Sequence, residues 1–269
     1  MALFSGSLKK MQIELSSMSV DWDRVASLSS GRYNLSGKNT DEGKILVSAL
    51  IKKAAESNGD DRPLAQIFRN ITSKGGDLNR SMSLSGETPL HMASGLADST
   101  LLKSLLEAGI QPVSTTRSGA TALHAAITAG LAENVKLLLA AGADPGAEDA
   151  TSNAPLHFSV RLENPVEIVK MLLDAGAKAY HRNSQQKTSV DIAEEKGKTA
   201  CLKLLRESLR NLRKNCHKSW NCQQCGNPIR KPSREKVDWY ISLDMWDYLQ
   251  FTCGECGHVT PATVLDGEV

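Results

Sequence analysis

Aromatic residues are scarce in this chain of 269 residues, where Phe, Tyr and Trp together make up 4%. A core built mainly on large rings is therefore excluded, and small aliphatic side chains must fill it. No apolar run approaches the roughly 20 residues that a helix needs to cross a bilayer, so no membrane partner is expected. Near the N-terminus Lys9 and Lys10 are followed by Gln12 and Glu14 without a long apolar core, so no secretory signal is expected. Position 2 is Ala2, which removes the N-myristoylation motif. Catalytic signatures are missing too. There is no G-x-S-x-G, no phosphate-binding glycine loop and no H-E-x-x-H, and the carboxylates are scattered. No enzymatic activity is expected. Wholesale disorder is also excluded, because a hydrophobic share of 41% is ordinary for a globular protein.

What is present is a period. Thr88-Pro89-Leu90-His91, Thr121-Ala122-Leu123-His124 and Ala154-Pro155-Leu156-His157 start 33 residues apart. A weaker copy, Thr188-Ser189-Val190-Asp191-Ile192-Ala193, comes one residue late after an insertion near Asn164-Pro165. An apolar, helix-like run follows each block, and Gly109, Gly142 and Gly176 close three of them. A fixed period of this length signals a stacked repeat array. Thr88, Thr121 and Thr188 suit helix N-caps, because a hydroxyl accepts a bond from a free backbone N–H. Pro89 and Pro155 sit in a first turn, where a missing N–H is harmless. Leu90, Ala93, Leu101, Leu102, Leu105 and Leu106 have the spacing of two helices burying one face each. The closing glycines are expected in the left-handed conformation.

These blocks resemble the ankyrin repeat over about half of the chain. The resemblance implies a helix-turn-helix solenoid with a small finger before each helix pair. It also implies that His91, His124 and His157 bond backbone groups within and between repeats, and hold no metal. The fold class expected is mainly α, an ankyrin solenoid followed by a small β zinc ribbon. The usual finger glycine is present at Gly86 and Gly119 but is Ser152 and Gln186 in later copies. Asp191 replaces the histidine, which suits a terminal repeat. Cys201 falls where an apolar residue should point inward, so a buried, inert thiol is expected.

Along the chain, residues 1–38 are rich in Ser and Gly and are expected to be a flexible lead-in. Val20, Trp22 and Val25 offer a short docking segment as the alternative. From Thr40, Ile45, Leu46, Ala49, Leu50 and Ala54 mark one amphipathic helix, and Leu64, Ile67, Phe68 and Ile71 mark a second. Gly76-Asp77-Leu78-Asn79 resembles the turn that closes an ankyrin helix pair. Residues 40–79 are thus expected to be a divergent N-terminal repeat, and the array of about four further repeats spans the rest of 40–206. Residues 207–269 are expected to hold a basic linker helix and the second domain, with the period breaking at Asn215.

That second domain gathers half of the aromatics and five of the six cysteines, four of them in two C-x-x-C pairs. Cys222-x-x-Cys225 and Cys253-x-x-Cys256 supply four thiolates, which suits tetrahedral zinc in a closed, structural site. Cys216, His217 and His258 lie close enough to substitute for a ligand. Residues 237–241 and 248–252 read as strands. This piece resembles a zinc ribbon, with Zn2+ as its structural cofactor. Paired thiols of this kind point to metal in a reducing compartment rather than to disulfides. An intracellular protein, cytoplasmic or nuclear, is expected.

Charge is segregated. From Lys196 to Lys236 twelve basic residues face Glu207 and Glu235 alone, a net +10 that leaves −8 for the remainder of a +2 chain. Two functional readings follow. In the first, the protein is a non-enzymatic adaptor whose ankyrin groove binds a protein through Glu87, Leu96, Arg117, Ser118, Thr128, Asn153, Arg161 and Leu162. In the alternative, it is a nucleic-acid-associated regulator. The basic stretch would then hold nucleic acid or an acidic protein through Arg210, Arg213, Lys214 and Lys218.

Overall fold

A computed structural model describes residues 6–16, 21–30, 40–56, 63–81, 83–215, 250–252 and 259–261. The chain divides into two units, Met1–Ala150 and Thr151–Val269.

The first unit contains eight described helices. They are α1 (Gly6–Leu15), α2 (Trp22–Ser29), α3 (Thr40–Glu56), α4 (Leu64–Ser73), α5 (Pro89–Ser94), α6 (Thr100–Glu107), α7 (Ala122–Thr128) and α8 (Ala132–Ala140). Stacking is register-preserving. α3 packs on α5 and α5 on α7, while α4 packs on α6. The buried residues follow from the helical period. Leu64, Ile67, Phe68 and Ile71 of α4 are all fully buried, as their spacing predicts. In α3 the inward face carries Leu46, Val47, Leu50, Ile51 and Ala54, whereas Ile45 is 48% exposed. The face is therefore rotated from the predicted one by about one residue. Leu106 is also half-exposed, unlike Leu101, Leu102 and Leu105.

The flexible lead-in expected over residues 1–38 is corrected by two helices. α1 packs on α3 and α2 on α4, the same register as between repeats. Met11 and Val25 are fully buried and Leu15 nearly so. Asp21 caps α2 by accepting the Arg24 backbone N–H at 3.0 Å. The Asn70 amide of α4 donates to the Ser29 hydroxyl at 2.7 Å. This helix pair covers the apolar side of α3 and α4 that a first repeat would otherwise expose.

The second unit holds α9 (Pro155–Ser159), α10 (Val166–Asp174), α11 (Ser189–Glu195) and α12 (Thr199–Asn215), with strands β1 (Gln250–Thr252) and β2 (Val259–Pro261). α9 packs on α10 and α11, and α12 packs on α10 and α11. α12 has 17 residues where α10 has nine. It ends at Asn215, where the sequence period breaks. β1 and β2 are antiparallel, with Thr252 paired to Val259 and Gln250 to Pro261. The strand predicted over 237–241 lies outside the described residues, and β1 lies within the one predicted over 248–252.

The helix-closing glycines adopt the predicted left-handed conformation, with φ +87° at Gly109, +84° at Gly142 and +93° at Gly176. In the first pair that role belongs to Gly75 at φ +83°, not to Gly76. The Gly76 N–H bonds the Ile71 carbonyl at 2.9 Å, as Ile110 bonds Leu105. The turn motif thus starts one residue earlier than the sequence pattern suggested.

Candidate functional site

Each repeat offers a finger and the exposed side of its short first helix, and two sets of bonds fix them. The first set joins finger to finger. In the first unit the Arg117 N–H donates to the Ser85 carbonyl at 2.9 Å, and the Ala150 N–H donates to Ser118 at 2.7 Å. In the second unit the Ser184 N–H donates to Thr151 at 3.0 Å. This spacing explains the finger glycines. A Cβ on Gly119 would stand 2.8 Å from the Ala150 nitrogen, and one on Gly86 would stand 2.8 Å from that of Arg117. Both glycines have positive φ. Ser152 and Gln186, which replace them, hold the same left-handed conformation at φ 52° and 60°, which costs a residue with a Cβ about 1–2 kcal/mol.

The second set runs through the histidines. The backbone N–H of Thr88 donates to His91 Nδ1 at 3.3 Å, so that nitrogen carries no proton. The Thr88 hydroxyl lies 2.8 Å from the same nitrogen and donates to it. Nε2 therefore holds the proton and donates to the Ala120 carbonyl at 3.0 Å. Thr121 and His124 repeat the first half of this arrangement, at 3.1 and 2.9 Å. His157 accepts from the Ala154 N–H at 3.1 Å and donates to the Lys187 carbonyl at 3.1 Å. Ala154 has no hydroxyl, so this ring has one bond fewer at Nδ1. In the last copy Asp191 substitutes for histidine and accepts both the N–H and the hydroxyl of Thr188, at 2.8 and 2.9 Å. Only Thr188 shows the predicted cap bond, accepting from the Asp191 N–H at 3.2 Å. At Thr88 and Thr121 the hydroxyl serves the ring instead.

Burial holds His91 below its ordinary 6.5, against the opposing pull of the Ala120 carbonyl and the Glu87 charge. Burial also lowers His157, whose bond to the Lys187 carbonyl opposes the shift while His181 and Arg161 add to it. The His157 and His181 rings meet edge-on, 5.6 Å apart. Both ring nitrogens of His91 and of His157 are spent on backbone bonds, so these histidines hold neighbouring repeats together. Burial likewise raises the Cys201 thiol, whose residue is 1% exposed.

The predicted partner-facing residues divide by exposure. Glu87, Arg117, Ser118, Thr128 and Arg161 are exposed, and Leu96 and Leu162 are half-buried. Thr128 spends its hydroxyl on the His124 carbonyl at 2.8 Å, and the Arg161 guanidinium lies 5.6 Å from the Phe158 ring centre. Asn153 is a correction. It is buried, accepts the Asn183 amide at 2.8 Å and donates to Thr151 at 2.6 Å, so it holds a finger rather than facing a partner. Met92, 41% exposed, and Leu84, 88% exposed, were missed. The signal for Met92 was available, because its helix neighbours Leu90, His91, Ala93 and Ser94 are all buried. Only the remaining side of so short a helix can face solvent.

Arg210 is exposed on α12. Arg213 and Lys214 also belong to α12, but their side chains lie outside the described residues, as does Lys218 entirely. Cys222, Cys225, Cys253 and Cys256 lie outside them as well. Among the described residues no group of three or more His, Cys, Asp or Glu could hold a metal ion. Among them, too, no helix is long and apolar enough to cross a membrane.

Comparison with known families agrees with this geometry. Residues 50–149 match the model for ankyrin repeats in three copies, and residues 152–184 match the model for a single ankyrin repeat. No curated protein matches the chain. Residues 50–149 and 152–184 of this protein are therefore ankyrin repeats.

Proposed function

We propose that this protein is a non-enzymatic adaptor that binds a protein partner through the fingers and first helices of its repeats. The carrying observation is that three apolar side chains on the finger and first helix of one repeat are left exposed or half-exposed. Leu84 stands at the finger and Met92 on α5, with Leu96 half-buried beyond, while Glu87 and Arg117 supply flanking charge. Apolar anchors rimmed by polar residues are what a protein interface uses, and a standard footprint is about 800 Å² per side. Capture of partners by the full chain, with and without nuclease, tests this. Proteins retained after nuclease but lost with Met92→Arg plus Leu84→Asp support it, provided circular dichroism shows both chains folded. Retention unchanged by the substitutions contradicts it.

In this reading Cys222, Cys225, Cys253 and Cys256 hold a structural zinc ion, and the protein is intracellular, cytoplasmic or nuclear. The donor set of four thiols supports zinc. So does the antiparallel pairing of Thr252 with Val259, the two residues that flank the sequence segment carrying Cys253 and Cys256. A second reading rests on the +10 segment: α12 presents an anion-facing surface to nucleic acid or to an acidic protein.

A further inference from the structure

α12 overruns its own repeat. Its register matches α10 from Thr199 to Glu207, so residues 208–215 extend past the end of α10 by about 12 Å at 1.5 Å per residue. At about 100° per residue, positions 203, 206, 210, 213 and 214 fall within one arc of about 100°. Every one of them is Lys or Arg. Leu202, Leu205, Leu209 and Leu212 fall on the adjoining arc. Leu205 is fully buried, and Leu202 and Leu209 are half-exposed at the border with the cations. Lys203 and Arg210 are exposed and form no ion pair among the described residues, whereas Arg206 is paired with Glu194. Glu207 is the one acidic residue on the helix.

From this juxtaposition we propose that the outer face of α12 docks an acidic, amphipathic segment of a partner protein. The inference rests on reading the basic face as anion-facing, and it names the class of anion. Alternating carboxylates and leucines would complement the cation stripe and the leucine border together. A phosphate backbone would satisfy only the stripe, and the described part of this face carries no aromatic ring on which a base could stack. The charge supplies steering and orientation, and the leucines supply affinity.

The test uses the full chain and three labelled probes: a peptide with acidic residues and leucines at helical spacing, the same peptide with serine for leucine, and single-stranded RNA of matched charge. The leucine peptide should bind at least about tenfold more tightly than the serine peptide, as partial burial of one or two leucines implies. Lys203→Ser with Arg210→Ser should weaken it and flatten its salt dependence, with circular dichroism unchanged. Equal binding of the two peptides, or tighter binding of RNA that displaces the leucine peptide, overturns the proposal but leaves the anion-facing reading. No binding by any probe at low salt overturns both.

Discussion

Replacing Gly119 by alanine tests the finger stack. The residue sits at φ +76°, and an added Cβ would stand 2.8 Å from the Ala150 nitrogen and 3.0 Å from the Asp149 carbonyl carbon. The left-handed backbone alone costs alanine about 1–2 kcal/mol. Loss of glycine's larger unfolded-state freedom returns about 0.4–1 kcal/mol. The steric contact also displaces the Ala150 N–H from the Ser118 carbonyl, a bond of 2.7 Å whose net worth is about 0.5–1.5 kcal/mol. Gly109 is the control, since it has φ +87° but nothing within 4 Å of an added Cβ. Gly109→Ala should therefore cost only the backbone difference, about 0.5–1 kcal/mol, and Gly119→Ala about 1 kcal/mol more. Urea titration followed by far-UV circular dichroism measures both. If the two variants lose stability equally, within about 0.3 kcal/mol, finger contact is not stabilising and the reasoning fails.

Acid should weaken the array. His91 and His157 have folded-state values lowered by burial, so between that value and 6.5 the unfolded chain binds more protons. Their contribution is complete above 6.5 and is lost as pH falls below it, which urea midpoints at about pH 7.5 and about pH 5.5 will report. Met11→Ala should destabilise the first unit by about 2–5 kcal/mol, because the side chain is fully buried; a loss below about 0.5 kcal/mol would show that the N-terminal helices add nothing. Chelation should strip a single zinc ion seen by native mass spectrometry while leaving the helical signal nearly intact, because the repeats have their own core. Structural zinc contributes about 10–16 kcal/mol to folding of small peptides, so the cysteine region should lose its fold.

The array was legible because its signals are local. Threonines at the helix starts, first-turn prolines and closing glycines each act within one helix turn, and 33-residue repetition multiplies them. Local signals also existed in α1 and α2, where Met11 and Leu15 are four apart and Asp21 precedes a helix. They were outweighed by the surrounding Ser and Gly, since only packing on α3 and α4 makes so short a pair stable. Ile45 was misplaced because four apolar residues in Ile45-Leu46-Val47 and Leu50 fit more than one helix face, and contact with neighbours chooses between them. Asn153 was unreadable as a buried residue because its partner, Asn183, lies 30 residues away. Conversely, the loss of glycine at Ser152 and Gln186 was visible in the sequence, and the backbone there keeps the positive φ that glycine would have held.

The central claim is that the finger and first-helix face engages a protein. Amide hydrogen exchange of the full chain, with and without a nuclease-resistant captured partner, measures this directly. The account predicts new protection at residues 83–86 and 116–119 and at the C-terminal ends of α5 and α7. Protection confined to α6 and α8, with the fingers unchanged, would contradict it.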